Sequence, residues 1–216
     1  MSVTSDVQIC NMALAHCGVT TLIADLAESS QQGELCNLFY EPTRNKVSQA
    51  IPWPFARKYA PLQDIGSPPA NWGFRYLYPT DCLKFRNIVN NGYVPFLPGF
   101  YPGYHADFTL CLPPRAPFSI GLATDASSRV IYSNVAAAQG EYTVLVTDPT
   151  LFPQTFVNAL AWALAAEIAI PLTTDMQRAQ LARTMYMTAI LEAGADLLNE
   201  NADGPQPESD FIRCRR

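Results

Sequence analysis

At 216 residues the chain can form one domain or two small ones, since domains cluster near ~100–150 residues. Hydrophobic residues make up 49% and charged residues only 15%, against a usual ~25%, as expected of a protein that buries much of its surface against partners. The net charge of −5 disfavours wholesale binding to nucleic-acid backbones and leaves room only for a local basic lining.

Residues 6–17 read as the first helix. Ser5 and Gln8 have capping-box spacing, in which hydroxyl and amide satisfy each other's orphan donors. Gly18 follows as a residue able to take positive φ past the helix end. Two apolar stripes, Val7/Cys10/Leu14/Cys17 and Ile9/Met12/Ala13/His16, predict contact on both sides. After a connector over 20–25, a second helix opens near Ser29 or Ser30. Leu35, Leu38, Phe39 and Val47 keep helical spacing, and Pro42 is expected to kink this helix or split it in two. Ile51-Pro52-Trp53-Pro54-Phe55 then forces extended backbone, with Arg57 and Lys58 directly behind the two aromatics.

From 61 to 147 the period changes. Short β-branched or aromatic runs at 73–78, 83–90, 129–133 and 141–147 read as strands, and Asn90-Asn91-Gly92 as a hairpin turn. The segment 93–118 holds six prolines and seven aromatics, so it reads as an extended loop pinned against the chain's own sheet, a neighbouring subunit or the next component of an assembly. Tyr101 and Tyr104 are its interface candidates.

The last third is helical again. Pro153 fits the first turn of an Ala- and Leu-rich third helix that Pro171 is expected to stop. Asn158 and Glu167 inside this run argue for a buried helix of a soluble protein and against a membrane span. Thr174 and Gln177 repeat the capping-box spacing and open a fourth helix over 175–199. Its apolar stripe is Ala179, Ala182, Tyr186, Ala189, Ala193 and Leu197. Residues 200–216 form a polar Pro/Gly tail ending in Phe211-Ile212-Arg213-Cys214-Arg215-Arg216.

The expected fold class is therefore α+β: a helical bundle from the N- and C-terminal segments with an inserted antiparallel β-rich region. The parts are N-terminal helices over 1–60, the β-rich region over 61–150, C-terminal helices over 151–199, and the tail over 200–216.

Chemistry finds little support in the residues. The six cysteines (10, 17, 36, 82, 111 and 214) show no C-x-x-C pair and no zinc-type spacing. With no basic-then-apolar leader at the N-terminus, reduced thiols and a cytoplasmic setting are expected. His16 stands beside Cys17, but adjacent helical residues point ~100° apart and no third group orients them. His105 lies two residues from Asp107, a weak acid–base hint. Glu192, Asp196 and Glu200 recur on one helix face and read as a solvated acidic stripe. Asp148-Pro149-Thr150 reads as a cap or turn. No phosphate loop, nucleophile elbow, zinc-protease motif or dinucleotide fingerprint occurs, so neither cofactor nor metal is expected. The corner formed by Trp53, Phe55, Arg57 and Lys58 could stack single-stranded bases. It reads better as an anchor whose basic pair bridges to a neighbour.

The order of motifs resembles one family. Ile9, Cys10, Asn11, Ala13, Leu14 and Gly18, then Cys36, Asn37, Leu38, Tyr40, Pro42 and Arg44, then Pro52, Trp53, Phe55, Ala56 and Arg57, are similar to the tail tubular protein A family. Tyr78-Pro79-Thr80-Asp81-Cys82-Leu83 and the run 156–169 extend the likeness, which lapses over roughly 92–127. These are the head-to-tail adaptors of short-tailed bacteriophages. The resemblance implies a structural virion protein at the head–tail junction, assembled in the host cytoplasm, and not an enzyme. It implies a ring of about twelve subunits between portal protein and tail nozzle protein, with possible tail-fibre contacts and a channel that DNA crosses without specific binding. It further implies that Phe211, Ile212, Arg213, Arg215 and Arg216 dock onto the portal. Another tail component, such as a nozzle or fibre-attachment subunit, and a virion-associated hydrolase are the alternatives.

Overall fold

The computed structural model describes residues 5–89, 116–123 and 128–200, with side chains described as far as 197. The fold is α+β, with four helices and two small sheets among the described residues. These residues divide into two compact units. One holds 5–58, 81–84 and 143–200, and the other 59–80 with the described parts of 85–142.

The helical unit contains α1 (Asp6–His16), α2 (Gln31–Ala50), α3 (Gln154–Thr173) and α4 (Met176–Glu200). The Ser5 hydroxyl caps α1 by accepting from the Gln8 amide at 3.2 Å. The helix closes in a Schellman turn: Gly18 at φ 74° donates to Ala15 and Val19 to Leu14. Arg178 of α4 completes that end by donating to the Cys17 carbonyl, where a cation also complements the helix dipole. Asn11 clamps the following connector with two bonds to Ile23, at 2.9 and 3.0 Å.

Helix α2, capped by Ser30, neither splits nor stops at Pro42. Pro42 stands on the exposed side, where water can satisfy the Leu38 carbonyl that has lost its N–H partner, and Leu38 itself is exposed. Pro171 likewise does not end α3, which runs two residues further. The helix ends where Thr174 turns left-handed at φ 55°, so Thr174 is the linker and not the expected cap of α4. Asp175 takes that role, its carboxylate accepting from the Gln177 and Arg178 amides at 2.9 and 3.3 Å.

Helix α3 is apolar on nearly every face because it packs against α1, α2 and α4 at once. Ala159, Ala161, Ala163, Ala165, Ala166 and Ala169 are all buried, and side chains this small let the neighbouring helices approach closely. Among the described residues only this helix is long and apolar enough to cross a membrane, and most of it is covered by protein. The stripe expected on α4 faces inward, with Ala179, Ala182, Ala189 and Ala193 buried and Tyr186 and Leu197 half-buried.

The strands are β1 (Arg57–Pro61), β2 (Phe74–Leu77), β3 (Cys82–Val89), β4 (Phe118–Leu122), β5 (Arg129–Ser133) and β6 (Gln139–Val144), and they form two three-stranded sheets. One sheet has the order β1-β6-β3 and the other β2-β5-β4. In the latter both pairings are antiparallel, and Ile131 stands opposite Tyr76 on one side and Ile120 on the other. Val130 and Ile131 are both fully buried, so this central strand is covered on both faces. The Tyr76 hydroxyl donates to the Val135 carbonyl at 2.5 Å.

Three strands differ from expectation. Phe118 opens β4 instead of closing a loop, and β1 continues straight from the Trp53 corner. The last strand also starts at Gln139 and ends at Val144, earlier than 141–147. Its Gly140 is there for space: a Cβ would stand 2.7 Å from Phe85 and 2.9 Å from Leu62, both buried. Gly140→Ala should therefore cost ~1–3 kcal/mol by overpacking, measured as a lower urea midpoint at unchanged slope. Asn90-Asn91-Gly92 and most of 93–118 lie outside the described residues.

Candidate interaction surfaces

The Pro-Trp-Pro-Phe corner folds inward. Trp53 is only 2% exposed, and its indole N–H donates to the Val47 carbonyl at 2.9 Å. Its ring meets Phe156 edge-on at 5.1 Å, while Phe55 packs on Phe156 at 4.9 Å and on Phe152 at 5.6 Å. Edge-to-face contacts of this kind add to area burial, so the corner is an anchor for the helical unit. The basic pair behind it is engaged within the chain. Arg57 reaches back to the Pro52 carbonyl at 3.3 Å, and Lys58 pairs with Asp81 at 2.6 Å.

Beside this corner lies an open groove of about 370 Å³. Trp53, Pro54, Phe55 and Pro153 form one side, and Ala193, Asp196 and Leu197 of α4 contribute the other. Asp196 is exposed and brings the groove's carboxylate. A second hollow of about 480 Å³ has a mixed lining that includes Pro42, Asn45, Lys46, Gln49, Lys84 and Tyr186. Its cations are occupied: Lys46 pairs with Glu167 at 2.9 Å, and Lys84 donates to the Gln49 carbonyl at 2.9 Å.

The outer face of α4 is the feature that the sequence reading missed. Leu181, Met187 and Leu191 are 57%, 62% and 74% exposed, and Met176 and Met185 are exposed with them. Thr184, Thr188 and Ala195 fill the space between, so the strip opposite the buried stripe carries almost no charge. Its signal was present as apolar residues on α4 lying off the core stripe.

The candidates for chemistry have structural surroundings. His16 stacks on Trp162 with ring centroids 3.6 Å apart and planes 8° apart. Burial lowers its pKa, which favours the neutral imidazole. Cys17 turns away to donate to the Ala165 carbonyl at 3.4 Å, and burial pushes its thiol up to about 11. The Cys10 thiol is held well above the usual range by its hydrogen bond to Cys36 and then by burial. Buried thiols raised in this way are poor nucleophiles. Asp148 caps a short 3-10 turn, accepting from the Thr150 amide and hydroxyl at 2.9 and 2.7 Å. Glu192 and Asp196 are exposed, and no group of metal-binding side chains assembles among the described residues. Tyr101, Tyr104, His105, Asp107 and 211–216 lie outside the described residues.

The motif residues that carry the family resemblance fall into two sets. Ile9, Cys10, Ala13, Leu14, Cys36, Tyr40 and Trp53 are buried, and Tyr40 ties α2 to α1 by donating to the Asp6 carboxylate. Arg44 is buried too, with its guanidinium over the Tyr40 ring at 5.9 Å. Asn37, Leu38 and Pro42 face solvent. No protein-family model matches this chain, and no curated protein matches its sequence.

Proposed function

We propose that this protein is a structural head-to-tail adaptor of a tailed bacteriophage, a ring-forming subunit between portal protein and tail nozzle. The observation that carries this reading is the outer face of α4, a helix already packed on its inner side that still presents Met176, Leu181, Met187 and Leu191 to solvent. Apolar strips of this kind mark contact surfaces. In a closed ring each subunit meets its neighbour through two unlike patches, and α4 supplies one of them. The motif order described above supports the phage setting. The inward Trp53 corner, the stacked His16 and the raised Cys10 and Cys17 thiols support a packing role for these residues.

The test is electron microscopy of the purified protein mixed with portal rings. A closed ring seated on the portal is the expected outcome, and particles of portal alone would overturn the reading. Phe211, Ile212, Arg213, Arg215 and Arg216 serve the portal contact, the apolar pair as anchor and the arginines as charge-assisted donors to an acidic surface. Deleting 205–216 should leave a folded protein that no longer attaches to portal-capped heads, scored by cosedimentation. Unchanged attachment would remove the tail from that role.

A further inference from the structure

We propose that the groove beside the Trp53 corner receives the C-terminal segment 211–216 of a second copy of this chain. The inference rests on the ring reading, and it names a pair of unlike patches that would meet between neighbours. The groove supplies an apolar floor from Trp53, Phe55, Pro153 and Leu197, with a carboxylate at Asp196. Glu192, also exposed, lies one helical turn earlier and extends the acidic character along α4.

The C-terminal segment has the complementary chemistry. Phe211-Ile212 is an adjacent aromatic–aliphatic pair suited to a concave floor lined by aromatic and proline rings. Arg213, Arg215 and Arg216 put three of the chain's fourteen basic residues into its last four positions, in a protein whose net charge is −5. A planar guanidinium beside Asp196 forms a charge-assisted, paired hydrogen bond. Helix α4 runs to Glu200, one turn past Leu197, and the 16 residues beyond it span up to ~50 Å when extended. Because the same six residues also serve the portal contact, groove and portal compete for them.

The experiment uses the full chain and its own Cys214. Thr155 lines the groove and is exposed, so Thr155→Cys places a thiol at the site without disturbing the core. Cys10, Cys17, Cys36 and Cys82 are buried, and Cys111→Ser leaves Cys214 as the partner thiol. With a short bismaleimide, a covalent ladder of dimers and higher species is expected. Cys214→Ser should abolish the ladder. Asp196→Arg should lower its yield roughly tenfold, equivalent to about 1.4 kcal/mol of pairing, and Arg213→Glu combined with Arg215→Glu should restore it.

A cross-link confined to single chains, or no cross-link in a variant of unchanged melting temperature, overturns the proposal. If rings still form on portals while no ladder appears, the groove assignment falls and the adaptor reading stands. If portals stay bare as well, the adaptor reading falls with it.

Discussion

Replacing Leu181 and Leu191 together by arginine should abolish ring assembly while leaving the subunit folded. Both side chains are more than half exposed on the outer face of α4, so neither contributes to the bundle core. Arginine is a good helix former, and exposed substitutions away from packed features stay within ~0.5 kcal/mol per site. The unfolding midpoint should therefore move by only a few degrees. In an assembled ring the same two positions would be desolvated, and each unpaired guanidinium buried there costs several kcal/mol. Repeated around a ring, that cost suffices to remove assembly at micromolar concentrations. Electron microscopy with portal rings, alongside thermal unfolding of the subunit alone, separates the two effects. Rings of normal abundance from the double variant would show that α4's outer face is not a subunit contact.

The second large effect is on stability. Phe156→Ala should cost ~3–5 kcal/mol, because its ring is fully buried and truncation leaves a cavity that the surroundings fill only in part. Phe156 touches Trp53 at 5.1 Å, Phe55 at 4.9 Å and Phe152 at 4.8 Å, so one truncation removes three aromatic contacts at once. A typical domain has only ~5–15 kcal/mol of net stability, so the loss is a large fraction of the whole. Urea denaturation should show a much lower midpoint, and Phe156→Leu should recover a good part of it. A loss under ~1 kcal/mol would mean that the Trp53 corner is held by something other than this cluster.

The helices were legible because their signals are local. Ser5 caps as its spacing indicates, Ser30 is one of the two serines expected to open α2, Gly18 takes the positive φ that a Schellman turn requires, and the alanine stripe of α4 faces the core. Helix α2 stays whole at Pro42, and α3 passes the Pro171 that was expected to stop it, for one reason. Pro42 and Pro171 each remove one backbone bond, but an exposed carbonyl can turn to water and a packed helix does not stop for one lost bond. Thr174 was misread because its capping spacing is local, while the left-handed turn between α3 and α4 depends on how those two helices pack.

The surface was harder to read than the core. Trp53 and Phe55 read as an anchor and Trp53 does turn inward, but Arg57 and Lys58, expected to bridge to a neighbour, find partners within the chain. Conversely, Leu181, Met187 and Leu191, which lie outside the stripe read from the sequence, stand in solvent. A single apolar stripe fits one periodicity, so the residues lying off it attract no notice until the inner face is known to be satisfied.

By itself the sequence determined where α1 and α2 begin, which stripe of α4 faces the core, and the α+β class, since capping, periodicity and propensity act within one or two turns. Tertiary structure alone decided that two prolines are tolerated, that Gly140 makes room for Phe85, and that α4 presents an apolar strip after its core side is filled. The physical reason is that these depend on which atoms from distant segments compete for the same space and the same water, and spacing along the chain carries no record of that.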